Sequence, residues 1–289
     1  MQALVFLHLA IFLAGFTGVL GKLIQLNEAL LVWYRLFITV VTLFGFFLLK
    51  GKIPSVSLKT LLKIFGVGAV VAMHWVTFYG SIKFSNISIA LVCFSTLGFF
   101  SAVIEPVVSR TKPSIPEMLL GLLPVAGVYL IFHFDTQYKT GIVFGMISAI
   151  LAALFTILNK KVLKNTPAST VTLYELTGGF IFLTAILPLY LSNFNLNFSL
   201  PASSDWLWLL ILAWLCTVLA FYLSMTALET VSPFTVNLSY NLEPVYGIAL
   251  AFLIFHEDKE LGGYFYWGLS LIVLSVILQT ARVIRARNT

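Results

Sequence analysis

The sequence predicts an all-α polytopic membrane protein, with ten transmembrane helices arranged as two inverted five-helix repeats. Three observations lead there. Of its 289 residues, 60% are hydrophobic and only 10% are charged, whereas a soluble domain is nearer half apolar and a quarter charged. The apolar residues gather into ten segments joined by short polar linkers. The second half of the chain repeats the first, weakly but in order.

The ten segments run roughly over 3–21, 29–49, 60–82, 86–109, 117–133, 140–159, 168–191, 205–228, 233–255 and 264–281. Each approaches the twenty or so apolar residues a bilayer-crossing helix needs. Short linkers make neighbouring helices antiparallel. Lys50-Gly51-Lys52-Ile53-Pro54 and Arg110-Thr111-Lys112-Pro113 read as turns. The longest polar break lies between Ser192 and Asp205. Met1 and Gln2 lead straight into apolar sequence without a basic region, so no cleavable leader is expected. Trp206, Trp208, Tyr264, Tyr266 and Trp267 sit at segment ends, as interface anchors do.

Lys and Arg set the orientation. With the N-terminus on one side, that side receives Lys50, Lys52, Lys59, Lys63, Arg110, Lys112, Lys160, Lys161, Lys164, Arg282, Arg285 and Arg287. The other receives only Lys22, Lys83, Lys139 and Lys259. The imbalance puts both termini in the cytoplasm of a multi-pass protein of the inner (plasma) membrane.

The internal repeat is read by sliding the chain on itself. A shift of 139 aligns Ala10, Ile11, Ala14, Phe16, Thr17 and Lys22 with Ala149, Ile150, Ala153, Phe155, Thr156 and Lys161. A shift of 140 aligns Tyr34, Leu36 and Leu43 with Tyr174, Leu176 and Leu183, and a shift of 147 aligns Gly121-Leu122 with Gly268-Leu269. The units are then 1–139 and 140–289. Five helices is an odd number, so the second unit crosses the membrane in the opposite sense. Transporters use such inverted repeats, with the solute site at the repeat interface near mid-membrane.

One stretch is chemically conspicuous: Asn237-Leu238-Ser239-Tyr240-Asn241-Leu242-Glu243-Pro244-Val245-Tyr246-Gly247, inside the ninth segment. Polar and ionisable groups at membrane depth are costly and face a bundle interior or a water-filled cavity. On a continuous helix Asn237, Tyr240, Asn241 and Pro244 share one face, while Ser239, Glu243 and Tyr246 take nearly the opposite one. Pro244 also frees a carbonyl one turn earlier, near Tyr240. One reading is a solute site in which Asn237, Tyr240 and Asn241 touch solute, with Glu243 supporting the site or carrying a coupling proton. The other is a buried helix whose polar groups satisfy one another.

His74, Trp75 and Tyr79 on the third helix are further candidates for substrate binding. His74 either carries protons or bonds to a neighbouring helix. Arg35 and its repeat mate Glu175 either fix helix packing or join the site. Lys22 and Lys161 end their helices, where lysines snorkel, and Glu105 is read as reaching headgroup water.

Several classes are excluded or disfavoured. Basic residues are spread over loops, so the +6 net charge does not call for nucleic acid. Cys93 and Cys216 both lie in apolar runs and form no disulfide or metal framework. No catalytic set, metal motif or nucleotide-binding loop is present, so no cofactor or ATP-driven pumping is expected. The partners expected are a small-molecule solute, the lipid bilayer and protons; the oligomeric state is not legible.

Residues in order along the chain resemble the drug/metabolite transporter superfamily, EamA-type. They are Gly15-Phe16-Thr17-Gly18 through Lys22, Tyr34-Arg35, Glu243-Pro244 and His256-Glu257. Two departures are Ala14-Gly15, where Trp-Gly is frequent, and Gly98, where a proline is common. The resemblance covers almost the whole chain. It implies a permease that moves small metabolites, often amino acids outward, by alternating access, through a cavity lined chiefly by helices one, three, four, six, eight and nine. Two other readings compete. One is a membrane-embedded enzyme acting on a lipid-soluble substrate through Glu243, His74 and Glu105. The other is a non-transporting receptor or scaffold.

Overall fold

The computed structural model describes residues 2–51 and 53–288, with side chains as far as Leu278. Lys52 and the side chains of Arg282, Arg285 and Arg287, all used in the orientation count, lie outside the described residues. Among the described residues the chain is helical, without strands. Nine helices are long and apolar enough to cross a membrane, and a further apolar helix covers Gly263–Leu278. The outward surface agrees with lipid contact: Leu49, Val107, Leu253 and Trp267 are all largely exposed, which in water would be a liability.

In chain order, α1 (Gln2–Gly15) and α2 (Thr17–Leu23) make the first span, α3 (Glu28–Leu49) the second and α4 (Leu58–Phe84) the third. The fourth is α5 (Ile87–Phe94) followed by α6 (Leu97–Ser109), and the fifth is α7 (Ile115–Phe134). Then come α8 (Lys139–Leu163) and α9 (Ala168–Asn193). The eighth span joins α10 (Ser203–Ala213) to α11 (Ala220–Thr230), and the ninth joins α12 (Pro233–Ser239) to α13 (Glu243–Phe255). The last helix is α14 (Gly263–Asn288).

Local chemistry sets the helix ends. Asn27, Ser57, Asn86 and Ser232 each accept a backbone N–H from the first turn of the helix that follows, which satisfies a donor the helix cannot. Pro233 opens α12, where its missing N–H is no loss. Arg110 and His256 close α6 and α13 in the left-handed region, φ 56° and 53°, a common helix stop.

Packing places α4 between α8 and α9, α7 against α14, and α1 against α11. Bare backbone makes two of these contacts. A Cβ on Gly68 of α4 would stand 2.7 Å from the Gly179 nitrogen of α9, and one on Gly127 of α7 would stand 2.6 Å from the Gly268 oxygen of α14. Small residues permit this approach in membrane bundles, where apolar burial gives no advantage over lipid.

At one end of the bundle, the fully buried Glu257 accepts from Lys22 Nζ at 2.8 Å, from the backbone of Ile87 and Ser88 at 3.1 and 2.9 Å, and from Ser88 Oγ at 2.7 Å. Lys22 therefore does not snorkel to solvent. It is tied to the segment after α13, and Glu257 also caps α5. At the other end Glu105 accepts from the Phe234 backbone at the start of α12, 3.1 Å away, and Lys161 Nζ donates to the Val108 carbonyl. Glu105, expected to reach headgroup water, is a cap for a neighbouring helix.

Candidate functional site

Four spans are interrupted, and every interruption has a side-chain cause. In the first, the Phe16 N–H bonds to Leu13 and Thr17 Oγ1 to the Ala14 carbonyl at 2.7 Å. In the fourth, Ser95 and Thr96 turn their hydroxyls back on the Val92 and Cys93 carbonyls, both at 2.6 Å, which competes with the helical ladder. In the eighth, residues Trp214–Leu219 widen into a π-turn, and Thr217 Oγ1 bonds to the Leu212 carbonyl five residues back. In the ninth, Pro244 has no N–H to give, and Glu243 N–H closes a 3₁₀ turn on the Tyr240 carbonyl instead.

All four interruptions border one cavity of about 90 Å³ inside the bundle. The first span gives Ala14 and Thr17; the fourth, Phe94 and Leu97; the eighth, Cys216 and Ala220; the ninth, Asn237, Tyr240 and Glu243. The unbroken α3 contributes Arg35, α4 contributes His74, Trp75 and Phe78, and α8 contributes Ala152, Phe155 and Thr156. Irregular backbone survives at membrane depth only where protein or a cavity surrounds it.

The 3₁₀ turn changes the face reading of the ninth helix. At three residues per turn, side chains three apart eclipse, so Asn237, Tyr240 and Glu243 line up toward the cavity. Glu243 thus joins the face expected to exclude it. Asn241 is rotated away, buried beside Gly98, and borders an apolar groove of about 320 Å³ between α13 and α14. Its Oδ1 has no hydrogen-bond partner. Tyr79 is fully buried and does not line the cavity; its hydroxyl takes a bond from Arg35.

Arg35 is the most heavily engaged group at the wall. Nε donates to Thr217 Oγ1 at 2.6 Å, Nη1 to Tyr79 at 3.0 Å and Nη2 to the Cys216 carbonyl at 3.2 Å. Its guanidinium lies 3.7 Å over the Trp75 ring. The π-turn supplies both the Thr217 and the Cys216 acceptors. Its repeat mate Glu175 is elsewhere, buried at the α8–α9 seam with Asn159 Nδ2 at 2.8 Å. The two residues that the sequence shift aligns thus lie in different environments.

His74 Nδ1 sits 3.0 Å from the Ser148 carbonyl and 2.9 Å from Ser148 Oγ. A carbonyl only accepts, so Nδ1 bears the hydrogen and Nε2 is left for the cavity side. Asn237 Nδ2 donates to Ser101 Oγ at 2.5 Å, and Tyr240 lines the wall with Ser224. Glu243 accepts no hydrogen bond among the described residues, and Arg35 lines the same cavity.

Sequence reasoning missed Thr217, Cys216, Ser224, Phe221 and Ser148. Isolated hydroxyls in apolar runs carry no spacing signal. Phe155 and Thr156 could have been found, because the repeat pairs them with Phe16 and Thr17.

A model of the EamA-like transporter family matches the sequence twice, over residues 1–133 and 139–281. Comparison with curated proteins gives no match. A solved structure described as "Crystal structure of protein" superposes with a TM-score of 0.66 over 98% of this chain and 98% of its own, at 16% identity. At that identity the likeness is one of fold. The family match spans nearly the whole chain, and its helices enclose a mainly apolar cavity that holds a few polar groups: the chain belongs to the EamA-like transporter family.

Proposed function

We propose that the protein is a secondary transporter that moves small amphipathic metabolites, amino acids or their like, outward across the inner (plasma) membrane by alternating access. The observation that carries this reading is the convergence of four broken spans on one cavity holding Arg35, His74, Asn237, Tyr240 and Glu243. Broken helices around a mid-membrane site are how transporters satisfy polar solutes.

Two units of five helices, over 1–139 and 140–289, supply the moving parts. The family match in two successive stretches supports that division. So do the interruptions at Ser95–Thr96 and Tyr240–Leu242, and the left-handed stops at Arg110 and His256, which fall at corresponding places in the fourth and ninth spans. Inverted units can exchange conformations and so exchange the open side. Glu243 is the coupling group: its carboxyl is buried at the cavity wall without a protein hydrogen bond and is free to load and release a proton.

Proteoliposomes loaded with neutral L-amino acids test this. A pH gradient is expected to drive accumulation by the wild type. Glu243→Gln is expected to lose accumulation but still to exchange solute at high concentration, while Asn237→Ala weakens both. If a pH gradient drives no transport of a solute that the protein does exchange, the proton role of Glu243 is wrong.

A further inference from the structure

Arg35 and Glu243 are opposite charges on the wall of the same small cavity. Yet they form no ion pair: their charged atoms are more than 4.0 Å apart. A guanidinium and a carboxyl group on one cavity wall that do not meet leave a gap with hydrogen-bond donors at one end and acceptors at the other.

The commitments of each group sharpen the picture. A guanidinium has five N–H donors, and Arg35 spends three, one each on Thr217, Tyr79 and Cys216. One N–H on each terminal nitrogen therefore has no protein partner. Two donors on one planar fork are what the two oxygens of a carboxylate take up. The Trp75 ring beneath, the Tyr79 hydroxyl and the π-turn hold the fork in one orientation. Glu243 has the complementary surplus, a carboxylate with no donor on it.

We propose that Arg35 is a specificity-determining residue of the cavity. It receives the carboxylate of a zwitterionic solute whose ammonium faces Glu243, and the apolar remainder lies among Trp75, Phe94, Phe155 and Phe221. This rests on the transporter reading and adds to it the polarity of the bound solute. The two spare N–H groups of Arg35 and the carboxyl of Glu243 then gain partners only when the solute is present. An uncompensated buried charge is costly, so the cavity discriminates by what an incomplete ligand leaves unpaired.

The test uses the purified full-length protein and sets of three probes: a neutral L-amino acid, the amine lacking its carboxylate and the acid lacking its ammonium. Leucine, 3-methylbutylamine and 4-methylpentanoate form one set. Calorimetry is expected to give at least tenfold tighter binding of the zwitterion than of either partner. Arg35→Gln should abolish the advantage of zwitterion over amine, and Arg35→Lys, which keeps the charge but not the fork, should restore only part of it. Glu243→Gln should erase the advantage of zwitterion over acid. The wild-type ratios need no variant, so a folding defect in Arg35→Gln does not protect the proposal. If the amine binds as tightly as the zwitterion, or the ratio survives Arg35→Gln, Arg35 is a packing residue only, while transport of that amine would leave the transporter reading standing. If folded wild-type protein neither binds nor moves any probe of several such sets, both readings fall.

Discussion

Glu175 shows how little a sequence position says about a charge's surroundings. It matches Arg35 in the repeat, but one carboxylate oxygen takes the Asn159 amide while the other has no partner, and Asn159 Oδ1 is likewise unpartnered. Such a site tolerates loss of charge better than loss of the acceptor. Glu175→Gln is expected to leave the unfolding midpoint in detergent unchanged or higher. Glu175→Ala should lower stability by about 1–3 kcal/mol, because it strands the Asn159 amide. Equal destabilisation by both would mean that the charge itself is needed. Asn237, Tyr240 and Glu243, which line the cavity, were legible as candidates because lipid depth makes them expensive, so their presence asks for a reason. Asn241 and Tyr79 satisfy the same criterion without reaching the cavity. The criterion identifies burial in protein, and it does not say which side of the helix the cavity is on.

At the scale of helices, the structure departs from ten plain rods in ways that tie ends together. Glu257, just after α13, caps the start of α5, while Glu105, in α6, caps the start of α12. The fourth and ninth spans thus hold each other's beginnings reciprocally. Pro244 announced one interruption in the sequence. Thr217, Ser95 and Thr96 announced none, because the same residues bond harmlessly to a carbonyl four back in many intact helices, as Thr42 and Thr177 do here. The two clasps differ in depth. Glu257 is fully buried and its partner Lys22 side chain is 33% exposed, whereas Glu105 is only partly buried. Removing one partner of a buried ion pair costs about 3–5 kcal/mol, and partial exposure of Lys22 puts Glu257→Ala at the lower end. Glu105→Ala gives up one charge-assisted hydrogen bond and should cost no more than about 1.5–3 kcal/mol. Thermal unfolding of the two variants in the same detergent checks the order. A larger loss at Glu105 would show that the Lys22–Glu257 contact is a surface pair of little weight.

For the molecule as a whole, the open quantity is its direction in the bilayer, and it follows from counting rather than from any one contact. With ten crossings, clusters at Lys50 through Lys63, Arg110 and Lys112, Lys160 through Lys164, and Arg282 through Arg287 would fall on one side, against four lysines on the other. Only short loops count in this balance, and the loops here are short. The longest, between α9 and α10, carries no cation. The expected result is that tags at both termini and single cysteines introduced at Lys59 and Lys164 react only with reagent on the cytoplasmic side, while one at Asn195 reacts from outside. Asn195 is a usable probe because it is exposed and lies between α9 and α10, outside either helix. The pattern also tests the repeat. Lys59 lies in the first turn of the third span and Lys164 follows the sixth, so an even number of crossings lies between them. An odd number, three, separates Asn195, after the seventh, from the C-terminus. Termini on opposite sides would mean an odd total of spans, and inverted five-helix units would be lost with it. Outside labelling at Lys59 together with inside labelling at Asn195 would keep the units and turn the whole protein over.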